Sequence, residues 1–235
     1  MAACEGRGAM RGTGIALCLM PLAALLSACV GGGEPERAAP IRPRAGGPVT
    51  LDSTPDRDTR QCFADLAAAD VRFSPLPDRD YGGWCQVIGA VQLIDVVTPV
   101  AGLRAMRCLL ARTFIQWLRG GVAPAAREML GSPLVRVETY GTFACRGVIG
   151  NPASAGRLSQ HGLANAVDVA AFVLADGRRI TVLGDWNTPD ADRRAFLRVV
   201  HRSACRRFRT VLGPDYNGAH ANHFHLDLGG GALCR

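Results

Sequence analysis

Lysine is absent from the 235-residue chain. All 27 basic residues are therefore Arg, and the formal charge of +7 rests on guanidinium groups alone. These Arg are scattered along the sequence rather than gathered on one helix, so no nucleic-acid partner is expected. Arg-only usage fits codon bias, and a basic surface suits an anionic cell envelope equally well. Cysteines spaced C-x₂-C or C-x₄-C are also missing, which argues against Cys as zinc ligands. The chain has no H-E-x-x-H, so a helix-borne zinc site with its own glutamate base is excluded. No internal repeat is evident, and no apolar run is long enough to span a bilayer. Function has to be sought among the five His and the carboxylates near them.

Four of those His fall in two short stretches. Residues 157–168 read RLSQHGLANAVD and offer His161 and Asp168. Residues 217–228 read NGAHANHFHLDL and offer His220, His223, His225 and Asp227. In His223–Leu228 the polar residues His223, His225 and Asp227 alternate with Phe224, Leu226 and Leu228, which predicts a strand with one polar and one apolar face. Two imidazoles on one strand face, joined by a distant His and a carboxylate, make a candidate Zn²⁺ site. Catalytic zinc takes three protein ligands and leaves a position for water.

These residues carry a resemblance. SQHGLANAVD resembles the S-x-H-x-x-(G)-x-A-x-D signature of the D-Ala-D-Ala metallopeptidases, with Ser159 and Ala166 in place. NHFHLD, opening on Asn222, resembles the H-x-H signature of the wider group that includes lysostaphin-type enzymes and the hedgehog signalling domain. The segment from about Cys62 to Cys234 resembles extensin-like C-terminal domains, which are placed in that group. One departure is that the family's usual Gly three residues after the His is Ala164 here. The resemblance implies an α+β fold with a mainly antiparallel sheet flanked by helices, hedgehog/D-Ala-D-Ala peptidase-like. It implies metal ligation by His161, Asp168 and His225, with His223 serving the reaction. Gly141-Thr142-Phe143-Ala144-Cys145-Arg146 resembles the family's S-G-Y-R element, so Arg146 would position substrate by forking onto a carboxylate. Ser159 or Asp227 would orient a ligand, and His220 would touch substrate or move a proton.

The N-terminal part specifies a compartment. Residues 10–29 hold a basic Arg11, an apolar run from Ile15 to Leu26, and then Leu26-Ser27-Ala28-Cys29. A short apolar run ending in small residues is the pattern of a cleaved signal. The last four residues resemble the bacterial lipoprotein lipobox. The expectation is a signal peptide over 1–28, starting more naturally at Met10, with Cys29 lipidated and the protein anchored in the envelope facing the periplasm. Residues 29–57 are rich in Gly and Pro and read as a tether, leaving 58–235 as the domain. Beyond Cys29 remain Cys62, Cys85, Cys108, Cys145, Cys205 and Cys234, an even set that suggests three disulfides in an exported chain. Cys62–Cys85, as a local staple, and Cys145–Cys205 are the expected pairs.

Elsewhere the patterns predict a short helix from Cys62, extended chain at Val71–Phe73, and a strand over Val87–Leu93. Leu103, Met106, Leu110, Phe114 and Trp117 predict an amphipathic helix over 101–118, stopped by Gly120-Gly121. A second helix is expected over Pro124–Leu130 and a strand over Val135–Tyr140. Val167–Leu174 and Arg179–Leu183 predict a hairpin around Asp176-Gly177. A helix is expected to start at a Thr188 cap with Pro189 first, burying Phe196, Val200, Ala204 and Phe208. The function expected is a zinc-dependent, monomeric peptidase or amidase acting on peptidoglycan. A zinc-containing peptidoglycan-binding lipoprotein without catalysis is the alternative.

Overall fold

The run Ala166–Leu174 (AVDVAAFVL) is apolar except for Asp168, and it is buried along nearly its whole length. A strand with both faces occupied suits the centre of a sheet, and here three other strands pair with it. The computed structural model describes residues 40–154 and 156–235. The expected signal segment 1–28, Cys29 and the tether to residue 39 lie outside them. Among the described residues no helix is long and apolar enough to cross a membrane.

In chain order the elements begin with β1 (Val49–Thr50), α1 (Arg57–Ala68), β2 (Arg72–Pro75), β3 (Arg79–Gly82), β4 (Cys85–Val87) and β5 (Ala90–Asp95). Next come β6 (Val100–Ala101), β7 (Met106–Arg107), α2 (Cys108–Trp117), α3 (Ala123–Leu130) and β8 (Leu134–Gly141). The central strand β9 (Ala166–Leu174) leads into β10 (Arg179–Thr181), α4 (Val182–Asp185) and α5 (Ala191–Cys205). The chain ends with β11 (Thr210–Leu212), β12 (Phe224–Asp227) and β13 (Leu233–Cys234). The main sheet runs β13-β11-β12-β9-β8-β6, with β10 beside the far half of β9. Its pairings are antiparallel except β11–β13 and β6–β8. Two small sheets, β1-β3-β4 and β2-β5-β7, flank it. The fold is α+β, as expected.

One face of the main sheet makes the core. Val167 and Val169 on β9 stand opposite Leu226 and Phe224 on β12. All four belong to the buried cluster that also holds Phe114 and Trp117 of α2 and Phe196 and Val200 of α5. Trp117 is fully buried, and its Nε1–H donates to the Val200 carbonyl at 3.1 Å. Asp168 and His225, also directly opposite one another, point to the other face.

Several boundaries differ from the sequence patterns. The expected helix over 101–118 begins only at Cys108, because Met106 pairs with Val91 in a strand and Gly102 takes φ +87°. Gly120-Gly121 does not stop it. The backbone widens into a π turn, Leu118–Val122, and continues as α3. A Cβ on Gly121 would stand 2.4 Å from Ser203 Oγ, so this glycine admits α5 rather than ending a helix. α5 is capped by Asp190, whose Oδ1 accepts from the amides of Asp192 and Arg193 at 3.1 Å, and not by Thr188. Phe208 is buried, although it lies beyond the helix end. Val87–Leu93 is two strands broken at Gly89, and Val182–Asp185 is a helical turn rather than strand.

All six domain cysteines are bridged, but not in the expected pairs. The bonds are Cys62–Cys108, Cys85–Cys145 and Cys205–Cys234. Cys62 lies on the buried side of α1, facing the start of α2, whereas Cys85 sits in a separate sheet against the loop after β8. Cys205 ends α5 beside β11, the strand that pairs with β13 and so brings Cys234 to it. Peptide mapping of the non-reduced protein should return these three pairs and no alkylatable thiol among the six. Removing Cys62–Cys108, which spans 46 residues, should cost about 4 kcal/mol on a chain-entropy basis. Denaturant midpoints of the double Ser variant check it.

Candidate metal centre and cleft

The site is built across adjacent strands in one register. Gly141 of β8, Asp168 of β9, His225 of β12 and Leu212 of β11 stand side by side. His161 arrives from the 3₁₀ turn Gln160–Leu163 that precedes β9. Ser159 caps this turn, its Oγ accepting from the His161 amide at 3.3 Å. Ala164 ends it in the left-handed region, φ +50° and ψ +31°. The backbone thus adopts the conformation a glycine would favour, despite the side chain, at a cost of roughly 1–2 kcal/mol. Gly162 has no room for a Cβ, which would stand 2.7 Å from Leu158 Cδ1 and 3.2 Å from Cys85 Sγ. The Cys85–Cys145 bridge is therefore packed against the turn that presents His161.

Three ligand atoms converge. His161 Nε2 is 3.2 Å from His225 Nδ1 and 3.1 Å from Asp168 Oδ2, and His225 Nδ1 is 2.9 Å from Asp168 Oδ1. Both imidazoles are oriented from behind. His161 Nδ1 lies 3.3 Å from the Thr142 carbonyl, which can only accept, so this nitrogen carries the proton. His225 Nε2 likewise donates to Asp227 Oδ2 at 2.9 Å. With both rings neutral, the lone pairs on His161 Nε2 and His225 Nδ1 face each other and a carboxylate. That donor set fits a metal ion, and the backing hydrogen bonds are those that orient metal-bound His.

The electrostatics point the same way. Burial works against a charged carboxyl on Asp168, yet the hydrogen bonds and charges of His161 and His225 hold it well below the usual carboxylate range. Burial also opposes charge on His225, but Asp168 and Asp227 outweigh it and push the imidazole up to about 9. This surrounding charge favours a proton on His225 Nδ1, and a metal ion bound there would displace that proton and answer the same carboxylate charge. A second cluster, His201, Cys205 and Cys234, has comparable spacing, but its sulfurs are joined as a disulfide and are not thiolate ligands. His201 is structural: it is buried against Trp186 and Phe224, and its Nε2–H donates to the Arg235 carbonyl at 3.2 Å.

The remaining expected site residues gather around the same point. His223 Nε2 is 3.5 Å from Asp168 Oδ1, and its Nδ1 is held by Asn222 Oδ1 at 2.8 Å. His220 stands beside His223, ring centroids 5.2 Å apart, with Asn217 Oδ1 2.7 Å from its Nδ1. Burial, then the neighbouring His223 and His225, push His220 down to about 4, so it is neutral at pH 7. Arg146 lines the cleft, one residue beyond Cys145. The cleft has a volume of about 430 Å³.

The family model described as "Extensin-like protein C-terminus" matches residues 60–235. The chain belongs to this family. No curated protein and no solved structure matches it significantly. The matched region begins inside α1 and contains all three disulfides together with every residue of the cleft described above.

Sequence reasoning missed several contributors to this extensin-like domain. The Thr142 carbonyl, Tyr140 edge-on to His223 and Tyr216 edge-on to His220 all shape the site. A backbone carbonyl leaves no residue-type signal, and the two Tyr sit in positions that only strand pairing and loop closure reveal. Asp227→Ala should weaken metal binding by about 10–100-fold, since His225 then loses its backing carboxylate. Competition against a chelating dye measures it.

Proposed function

We propose that this extensin-like domain is a zinc-dependent peptidase or amidase acting on peptidoglycan stem peptides or cross-links, related to the D-Ala-D-Ala metallopeptidase, lysostaphin and hedgehog group. The observation that carries the reading is the convergence of His161 Nε2, His225 Nδ1 and the Asp168 carboxylate, with both imidazoles oriented from behind. Two imidazoles and a carboxylate are a common ligand set of catalytic zinc, with a further position left for water. Zinc held there would lower the pKa of a bound water and polarise the scissile carbonyl.

The chain's own groups supply the rest. Asn222 accepts from His223 Nδ1–H, which leaves the Nε2 lone pair turned toward Asp168 and able to take the proton of an attacking water. The same nitrogen then returns the proton to the leaving amine. Arg146 holds a substrate carboxylate, and His220, neutral in its buried place, offers a hydrogen bond to the peptide. With Cys29 lipidated, the monomeric domain would face the periplasm from an anchored tether. Cys29→Ser should then release the protein from membrane fractions. Mass spectrometry of muropeptides from purified sacculi incubated with the zinc-loaded protein tests the activity. Shortened or uncrosslinked stem peptides are expected, and an unchanged profile with protein bound to the sacculi would favour a binding module.

A further inference from the structure

The loop between β8 and β9 turns back on itself as a two-stranded ribbon. Gly147 bridges Leu158, the Val148 amide donates to the Arg157 carbonyl at 2.9 Å, and the Ser159 amide donates to the Arg146 carbonyl at 3.1 Å. Alternation along such a ribbon puts Arg146, Val148, Arg157 and Ser159 on one face, and all four line the cleft. Arg146 and Arg157 are diagonal neighbours there, a relation that places Cα atoms roughly 7–8 Å apart. Neither guanidinium is paired with a carboxylate among the described residues, and Arg146 reaches only its neighbour's Gly147 carbonyl, at 3.2 Å. The acids that line the cleft, Asp168 and Asp227, are both engaged by His225. The ribbon is also fixed across the cleft. Asn217 Nδ2 donates to the Gly150 carbonyl at 3.0 Å, and Asn151 Nδ2 donates to Tyr216 Oη at 3.2 Å.

Two unpaired cations on one anchored face call for two anions on the ligand. We propose that Arg157 is a specificity residue, and that the cleft selects peptides with a free C-terminal carboxylate on Arg146 and a side-chain carboxylate about two residues upstream on Arg157. Two residues of extended peptide span at most about 7 Å, which matches the diagonal spacing of the two Arg. The inference rests on the reading of the cleft as a peptide site, but it concerns binding and not cleavage.

The test is equilibrium binding by calorimetry to the full-length protein stripped with EDTA, so that turnover plays no part. The probes are the acetylated peptides Ala-Glu-Ala-Ala and Ala-Gln-Ala-Ala, and the first peptide again as its C-terminal amide. Wild type should prefer the Glu peptide to the Gln peptide by about tenfold. Arg157→Gln should bring that ratio near one while retaining the preference for the free C-terminus, and Arg146→Gln should do the reverse. Arg157 is exposed, so the variant is expected to melt with wild type. A wild-type ratio near one, or an unchanged ratio in Arg157→Gln, overturns the proposal. Muropeptide cleavage is scored separately, so loss of the peptidase reading and loss of this one are told apart.

Discussion

His223→Ala is expected to keep zinc bound while lowering turnover by about 10²–10⁴-fold, the usual contribution of a positioned acid–base group. His161→Ala, Asp168→Ala and His225→Ala should instead lose the metal, because each removes one of three converging ligand atoms. The contrast follows from position. His223 Nε2 lies 3.5 Å from Asp168 Oδ1, further out than the two nitrogens that touch this carboxylate at 2.9 and 3.1 Å. His223 sits on the polar face of its segment, away from Phe224 and Leu226 in the core, so its removal should leave the fold intact. Zinc stoichiometry and peptide cleavage, measured side by side for the four variants, decide the matter. If His223→Ala loses zinc as His225→Ala does, the base and ligand roles are wrongly assigned.

Trp117→Ala should have the largest effect on stability. The indole is fully buried between α5 and the sheet, edge-on to Phe172 at 6.1 Å and to Phe208 at 6.2 Å. Truncating a buried Trp to Ala costs about 3–5 kcal/mol, the transfer and cavity contributions together. For a domain of this size that corresponds to a fall in Tm of roughly 10 °C. Trp117→Phe keeps most of the volume and loses the hydrogen bond to Val200, so a loss nearer 1–2 kcal/mol is expected. Scanning calorimetry on both variants separates packing from hydrogen bonding, and a Phe variant as unstable as the Ala variant would contradict this division.

The parts of the fold that were legible in the sequence are those set by local pattern. Alternation from His223 to Leu228 gave the strand, its polar face and its apolar face, and Phe224 and Leu226 do enter the core. The apolar run through Asp168 identified a strand in which Asp168 is the one polar residue, and its pairing with β12 sets Asp168 opposite His225. What depended on topology was not legible. The bond Cys62–Cys108 follows from α1 packing on α2, and Cys85–Cys145 from a loop folding onto a separate small sheet. Leu103 and Met106 matched a helical period by coincidence, since Met106 is buried as a strand residue. Gly121 looked like a stop signal because its partner, Ser203, is distant in the chain. Arg157 had no motif at all, and its place beside Arg146 depends on the ribbon pairing of Gly147 with Leu158.

The most direct test of the central claim is zinc-edge X-ray absorption on the purified full-length protein. One zinc per chain is expected, with two imidazole nitrogens at about 2.0–2.1 Å, the remaining ligands oxygen, and no sulfur. Absence of stoichiometric zinc, or sulfur scattering near about 2.3 Å, would contradict a centre built from His161, Asp168 and His225.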